Sequence, residues 1–119
     1  MKDNPLTSDS KRWDRDRRML EAHPKLGVGG PTYAWLNAAM RSFKQLEGRR
    51  YAKGLNCPVM IITAGREKIV DNTATTRFIN RIPGIAKVTL NTSQHEILME
   101  NDAVRGEFFA VFESFVGQQ

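Results

Sequence analysis

Two polar loops hold the side chains best suited to chemistry. Ala64-Gly65-Arg66-Glu67-Lys68-Ile69-Val70-Asp71-Asn72 offers two carboxylates, and Thr92-Ser93-Gln94-His95-Glu96-Ile97-Leu98-Met99-Glu100 offers an imidazole. Each loop follows a stretch with strand character, and in open α/β sheets catalytic groups gather on the loops beyond the carboxyl ends of strands. A carboxylate on one loop beside a histidine on the next makes an orienting acid and a general base. The acid fixes the imidazole tautomer and stabilises the imidazolium, while the imidazole accepts a proton from a nucleophile. Glu67 and His95 are the candidates for these roles. The same residues also suit a plainer arrangement, with His95 on the surface and Glu67 paired to Arg66 or Lys68 in solvent.

Other chemistries find little support. Cys57 is the only cysteine, so no intramolecular disulfide forms, and its place before Pro58 and an apolar run reads as a buried structural thiol. With His23 and His95 the only histidines, no metal-ligand spacing emerges, and neither a metal nor a cofactor is expected.

The elements that must position the two loops are an apolar run and an alternating one. Val59-Met60-Ile61-Ile62-Thr63-Ala64 is continuously apolar up to Thr63 and reads as a strand covered on both faces of a parallel sheet. Lys87-Val88-Thr89-Leu90-Asn91 alternates, as a half-exposed edge strand does. Between them Asp71 caps a helix expected to run through Ile82, with Ala74, Phe78 and Ile82 on one face and Pro83-Gly84 at its end. A last helix, about Asp102 to Phe115, sets Val104, Phe108, Val111, Phe112 and Phe115 on one stripe. Upstream, a short charged helix is expected from about Asp14 to Glu21. A glycine-rich connection then leads to a helix from Thr32 to Glu47, with Leu36, Ala39, Met40, Phe43 and Leu46 at helical spacing and Gly48 as its stop. Tyr33 and Trp35 lie near the start of that helix, placed either to face a ligand or to pack against a neighbour.

Strand, helix, strand, helix is the rhythm of an α/β fold with a right-handed crossover. An internal strand needs a neighbour on each side, and the sequence supplies one. Part of a larger sheet is therefore expected, with an exposed apolar face where the rest of it would pack.

Charge is uneven along the chain. Residues 1–56 carry 12 Lys/Arg against 6 Asp/Glu, and residues 57–119 carry 6 against 7. The basic half suits either a solvated surface or contact with anionic lipid or a phosphate-bearing substrate. Its cations are interspersed with acids and no groove-reading motif appears, so nucleic acid is not expected as a partner. The longest apolar stretch is too short to cross a bilayer, and Met1-Lys2-Asp3 opens no signal-peptide pattern. A cytoplasmic location is expected, with peripheral contact at the inner membrane as an extension of it.

The run from Pro58 to Asn72 resembles the strand and acid loop of bacterial lysophospholipases and monoacylglycerol lipases in the serine α/β-hydrolase superfamily. Ser93 to Glu100 resembles the histidine loop of the same group, and Asn4-Pro5-Leu6-Thr7-Ser8-Asp9 with Gly29 to Leu36 resembles its cap region. The resemblance implies that His95 is the general base and Glu67 the acid, at a position where many relatives have aspartate; Asp71 is the alternative acid. Glu67 before His95 also keeps the acid-then-histidine order of that superfamily.

The resemblance further implies a helical cap remnant over residues 1–54 and a C-terminal parallel β-α-β-α part of the hydrolase core over residues 55–119. Tyr33 and Trp35 would then belong to the substrate-binding cap. The Gly-x-Ser-x-Gly nucleophile elbow has no counterpart here, because Ser8, Ser10, Ser42, Ser93 and Ser114 all lack the flanking glycines. The leading expectation is a fragment of a lipid-ester hydrolase, inactive alone and completed by an N-terminal half or by self-association. The alternative is a non-enzymatic dimerising or partner-binding module derived from the same fold.

Overall fold

The structure, a computed structural model, describes residues 4–48 and 55–117. The boundary expected near residue 54 falls on residues outside the described set.

Helix α1 spans Ser10–Ala22. It begins earlier than the charge pattern suggested because the Asp9 side chain accepts the Arg12 amide and caps the first turn. Helix α2 spans Tyr33–Glu47, capped by Thr32 through the Trp35 amide and ended at Gly48. Its apolar stripe is only partly covered: Ala39 and Leu46 are half-buried, while Leu36, Met40 and Phe43 are each exposed and Tyr33 is 93% exposed.

Strand β1 (Val59–Ala64) pairs in parallel with β2 (Ile85–Leu90) from Val59↔Ile85 to Ala64↔Leu90. Helix α3 (Asn72–Ile79) makes the crossover. It stops three residues short of the expected Ile82, for the residue before a proline is driven out of helical backbone and Pro83 follows. The chain instead tightens, with Arg81 N–H donating to Phe78 and Ile82 N–H to Ile79. Gly84 then adopts a φ of 87°, a left-handed conformation that glycine takes without penalty, and β2 begins at once. This start lies two residues ahead of the expected Lys87.

Helix α4 (Asp102–Val116), capped by Asn101, packs against β2. The core is small: Ala64, Ile79, Ile82, Leu90 and Val104. Each buried Val, Leu or Ile contributes about 1.5–3 kcal/mol.

Two expectations need correction. The β1 strand is not covered on both faces throughout, since Val59 to Ile62 are half-buried and only Thr63 and Ala64 are buried. Among the described residues β2 is its single neighbour, which leaves one edge unpaired. Cys57 is exposed, not a buried thiol, for it lies two residues ahead of β1 in irregular backbone that no apolar layer covers among the described residues.

Candidate functional site

Because Ala64 and Leu90 are register partners, the two polar loops leave the sheet side by side. Gly65 N–H donates to the Leu90 carbonyl and Arg66 N–H to the Ser93 carbonyl, both at 2.8 Å. This approach demands glycine: a Cβ on Gly65 would stand 2.5 Å from Asn91 Cα. Asn72 closes the first loop by donating its side-chain amide to the Ala64 carbonyl at 2.7 Å.

Within that loop Glu67 folds back on its own backbone. Its Oε1 accepts the amides of Lys68, Ile69 and Val70 at 2.8, 2.7 and 3.3 Å. Its Oε2 lies 2.8 Å from His95 Nδ1, and the Glu67 side chain is only 6% exposed against 32% for His95. Burial alone pushes the Glu67 carboxyl upward. The Ile69 amide, the His95 ring and the Val70 amide together outweigh it and hold the group below its ordinary value. With an ionised carboxylate on Nδ1, the neutral imidazole carries its proton there and leaves the Nε2 lone pair for proton exchange.

The remaining sequence candidates are engaged elsewhere or exposed. Asp71 caps α3, accepting the Thr73 amide at 2.7 Å with Arg77 3.5 Å away, so its carboxylate serves the helix and not His95. The Thr73 amide, against a smaller effect of burial, holds the Asp71 carboxyl below its ordinary value. Tyr33 and Trp35 occupy the first turn of α2, and Trp35 too is exposed. Ser93 is fully buried and donates its hydroxyl to the Gln94 carbonyl at 2.8 Å, within its own loop. Among the described residues, no group of three or more His, Cys, Asp or Glu is arranged to hold a metal ion. No helix among them is long and apolar enough to cross a membrane.

Sequence reasoning missed Glu100. It is fully buried, and its carboxylate accepts the amides of Ser8 at 3.0 Å and Gln94 at 2.9 Å together with the Ser8 hydroxyl. Arg12 donates to the Glu100 carbonyl and pairs with Asp102 at 2.6 Å, holding the Asp102 carboxyl below its ordinary value. A glutamate ending the Ile97-Leu98-Met99 turn gives no local sign of burial, because the Ser8 groups that satisfy it lie 92 residues away.

Residues 1–102 match the family described as serine aminopeptidase, S33. The chain is 28% identical over 116 residues to the probable lysophospholipase L2 of Haemophilus influenzae, covering 98% of this chain and 36% of that protein. It is 30% identical over 112 residues to the lysophospholipase L2 of Escherichia coli K12, covering 86% of this chain and 32% of that protein. The chain thus spans about a third of the length of these curated relatives. No solved structure matches it.

Proposed function

From the premise that this chain belongs to the serine aminopeptidase S33 family of α/β-hydrolases, we propose that it supplies the acid and base of a serine-hydrolase site acting on lipid carboxylic esters. His95 is the general base and Glu67 the acid that orients it. In this reading the attacking serine comes from outside these 119 residues. It attacks the ester carbonyl, and His95 Nε2 takes its proton and returns it to the leaving alcohol; water, deprotonated by the same nitrogen, then cleaves the acyl-serine ester to free the acid and the serine, with Glu67 stabilising the imidazolium in both halves.

The observation that carries the reading is the 2.8 Å contact between Glu67 Oε2 and His95 Nδ1, with Oε1 locked by backbone amides. Those amides also explain how a glutamate serves where aspartate is common in the resemblance. The extra methylene lets the side chain curl back on its loop and still present one oxygen to the imidazole. The lysophospholipid class of substrate is carried over from the names of the relatives. Residues 1–54 are assigned to the cap, and residues 55–119 to the core.

Hydrolysis of a lysophospholipid and of a short-chain chromogenic ester tests this, with the chain alone and mixed with a homologous N-terminal half carrying Gly-x-Ser-x-Gly. Activity is expected only in the mixture, and not with His95→Ala. Turnover by the pure chain alone, or a verified complex that stays silent, contradicts the proposal. Silence in a stable complex favours a second reading, a partner-binding module, which the exposed Leu36, Met40 and Phe43 on α2 also suit.

A further inference from the structure

Both residues that flank His95 are held through their amides, one by a side chain of the same loop and one by a remote segment. Gln94 N–H donates to Glu100 Oε1 at 2.9 Å, and Glu96 N–H donates to the Leu6 carbonyl at 2.8 Å. The same Glu100 oxygen takes the Ser8 amide at 3.0 Å, while the other takes the Ser8 hydroxyl. Thr7, also without exposed surface, donates its hydroxyl to the Met99 carbonyl at 2.8 Å. Leu6, Thr7 and Ser8 therefore grip the histidine loop at Glu96, Met99 and Glu100 in turn.

A fully buried carboxylate is a costly way to fill space, since burying a charge is unfavourable unless it is paired and hydrogen-bonded. Three hydrogen bonds offset that cost at Glu100: two from the amide and hydroxyl of Ser8, and one from the amide of Gln94 next to His95. We propose that Glu100 is a positioning residue for His95. Its carboxylate joins Gln94 to Ser8, and through this joint the segment at residues 4–9 holds the imidazole against Glu67. A segment remote in sequence thereby becomes part of the apparatus that orients the base.

The proposal rests on the reading of His95 as general base, yet ground-state geometry tests it without turnover. The measurements are hydrogen exchange of the Gln94 amide, taken relative to the β1 amides, and the low-field Hδ1 proton resonance of the His95–Glu67 hydrogen bond. Glu100→Ala is expected to lower the relative protection of Gln94 by about tenfold or more and to broaden or remove the Hδ1 resonance. Glu100→Gln, whose carbonyl still accepts both amides and whose side-chain NH2 can donate to the Ser8 hydroxyl, is expected to restore both signals.

Ile82→Ala, which opens a cavity in the core on the far side of the crossover, is expected to lower global stability and leave both signals in place. If Glu100→Ala behaves as Ile82→Ala does, the proposal fails while the catalytic reading stands. Should Glu100→Ala not fold, Ser8→Ala decides. A smaller loss of Gln94 protection is expected from it, and unchanged protection overturns the proposal. A site that has every signal in place but no turnover when completed sinks the catalytic reading and spares the positioning role.

Discussion

At the scale of single residues, the site depends on an ionised Glu67 carboxylate set against His95 Nδ1. Its depressed pKa sets a sign. A carboxyl held below its ordinary 4.5 in the folded state contributes stability that is present above that value and lost as the pH falls through the lower, folded one. Urea midpoints measured from pH 6 down to pH 3 should therefore fall more steeply for the wild-type chain than for Glu67→Gln. Parallel curves would mean that Glu67 gains nothing from its amides and imidazole. In a completed enzyme Glu67→Gln should lower kcat by about 10^3–10^4-fold, because the amide can favour the wrong imidazole tautomer. Steady-state kinetics on the lysophospholipid substrate checks this. Asp71→Ala should lower the melting temperature by a few degrees through loss of the α3 cap and leave kcat unchanged. That Glu67 and His95 lie on adjacent loops was legible because each follows a recognisable strand. Glu100 was not, for its meaning lies in Ser8 at the other end of the chain.

At the scale of elements, periodicity and caps carried most of the prediction. Val59–Ala64, the Asp71 cap, the helix up to Glu47 with its Gly48 stop and the helix from Asp102 were all readable, since each is written in adjacent residues. What escaped was set by contacts beyond the local window. The early start of α1 depends on Asp9 and on Arg12, whose guanidinium is anchored at Glu100 and Asp102. Gly65 sets how closely the two loops approach, because a side chain there would collide with the Asn91 backbone. Gly65→Ala should cost about 1–3 kcal/mol of stability and weaken the Hδ1 resonance of His95 as the loops part. Denaturant unfolding and the proton spectrum together check it, and an unchanged spectrum would separate the loop contact from the geometry of the dyad.

At the scale of the whole molecule, a small core carries a wide apolar surface. On α2 Leu36, Met40 and Phe43 are exposed, and on α4 Phe109, Phe112 and Val116 are exposed as well. Such a surface should draw a partner or a second copy. Sedimentation equilibrium of the chain alone should show mass rising with concentration, and Phe43→Lys should reduce the rise; a monomer at every concentration would count against it. The number of strands led to an expected apolar face at the sheet, whereas the exposed residues named here lie on helices, and nothing in the sequence signalled that residues 6–8 dock beside His95. The most direct test of the central claim is whether His95 activates a serine. In a complex with an N-terminal half that carries Gly-x-Ser-x-Gly, the rate of covalent labelling by a fluorophosphonate reads that step alone. Labelling should be rapid with the wild-type chain and about 10^2–10^4-fold slower with His95→Ala. Equal rates in the two complexes would contradict the account.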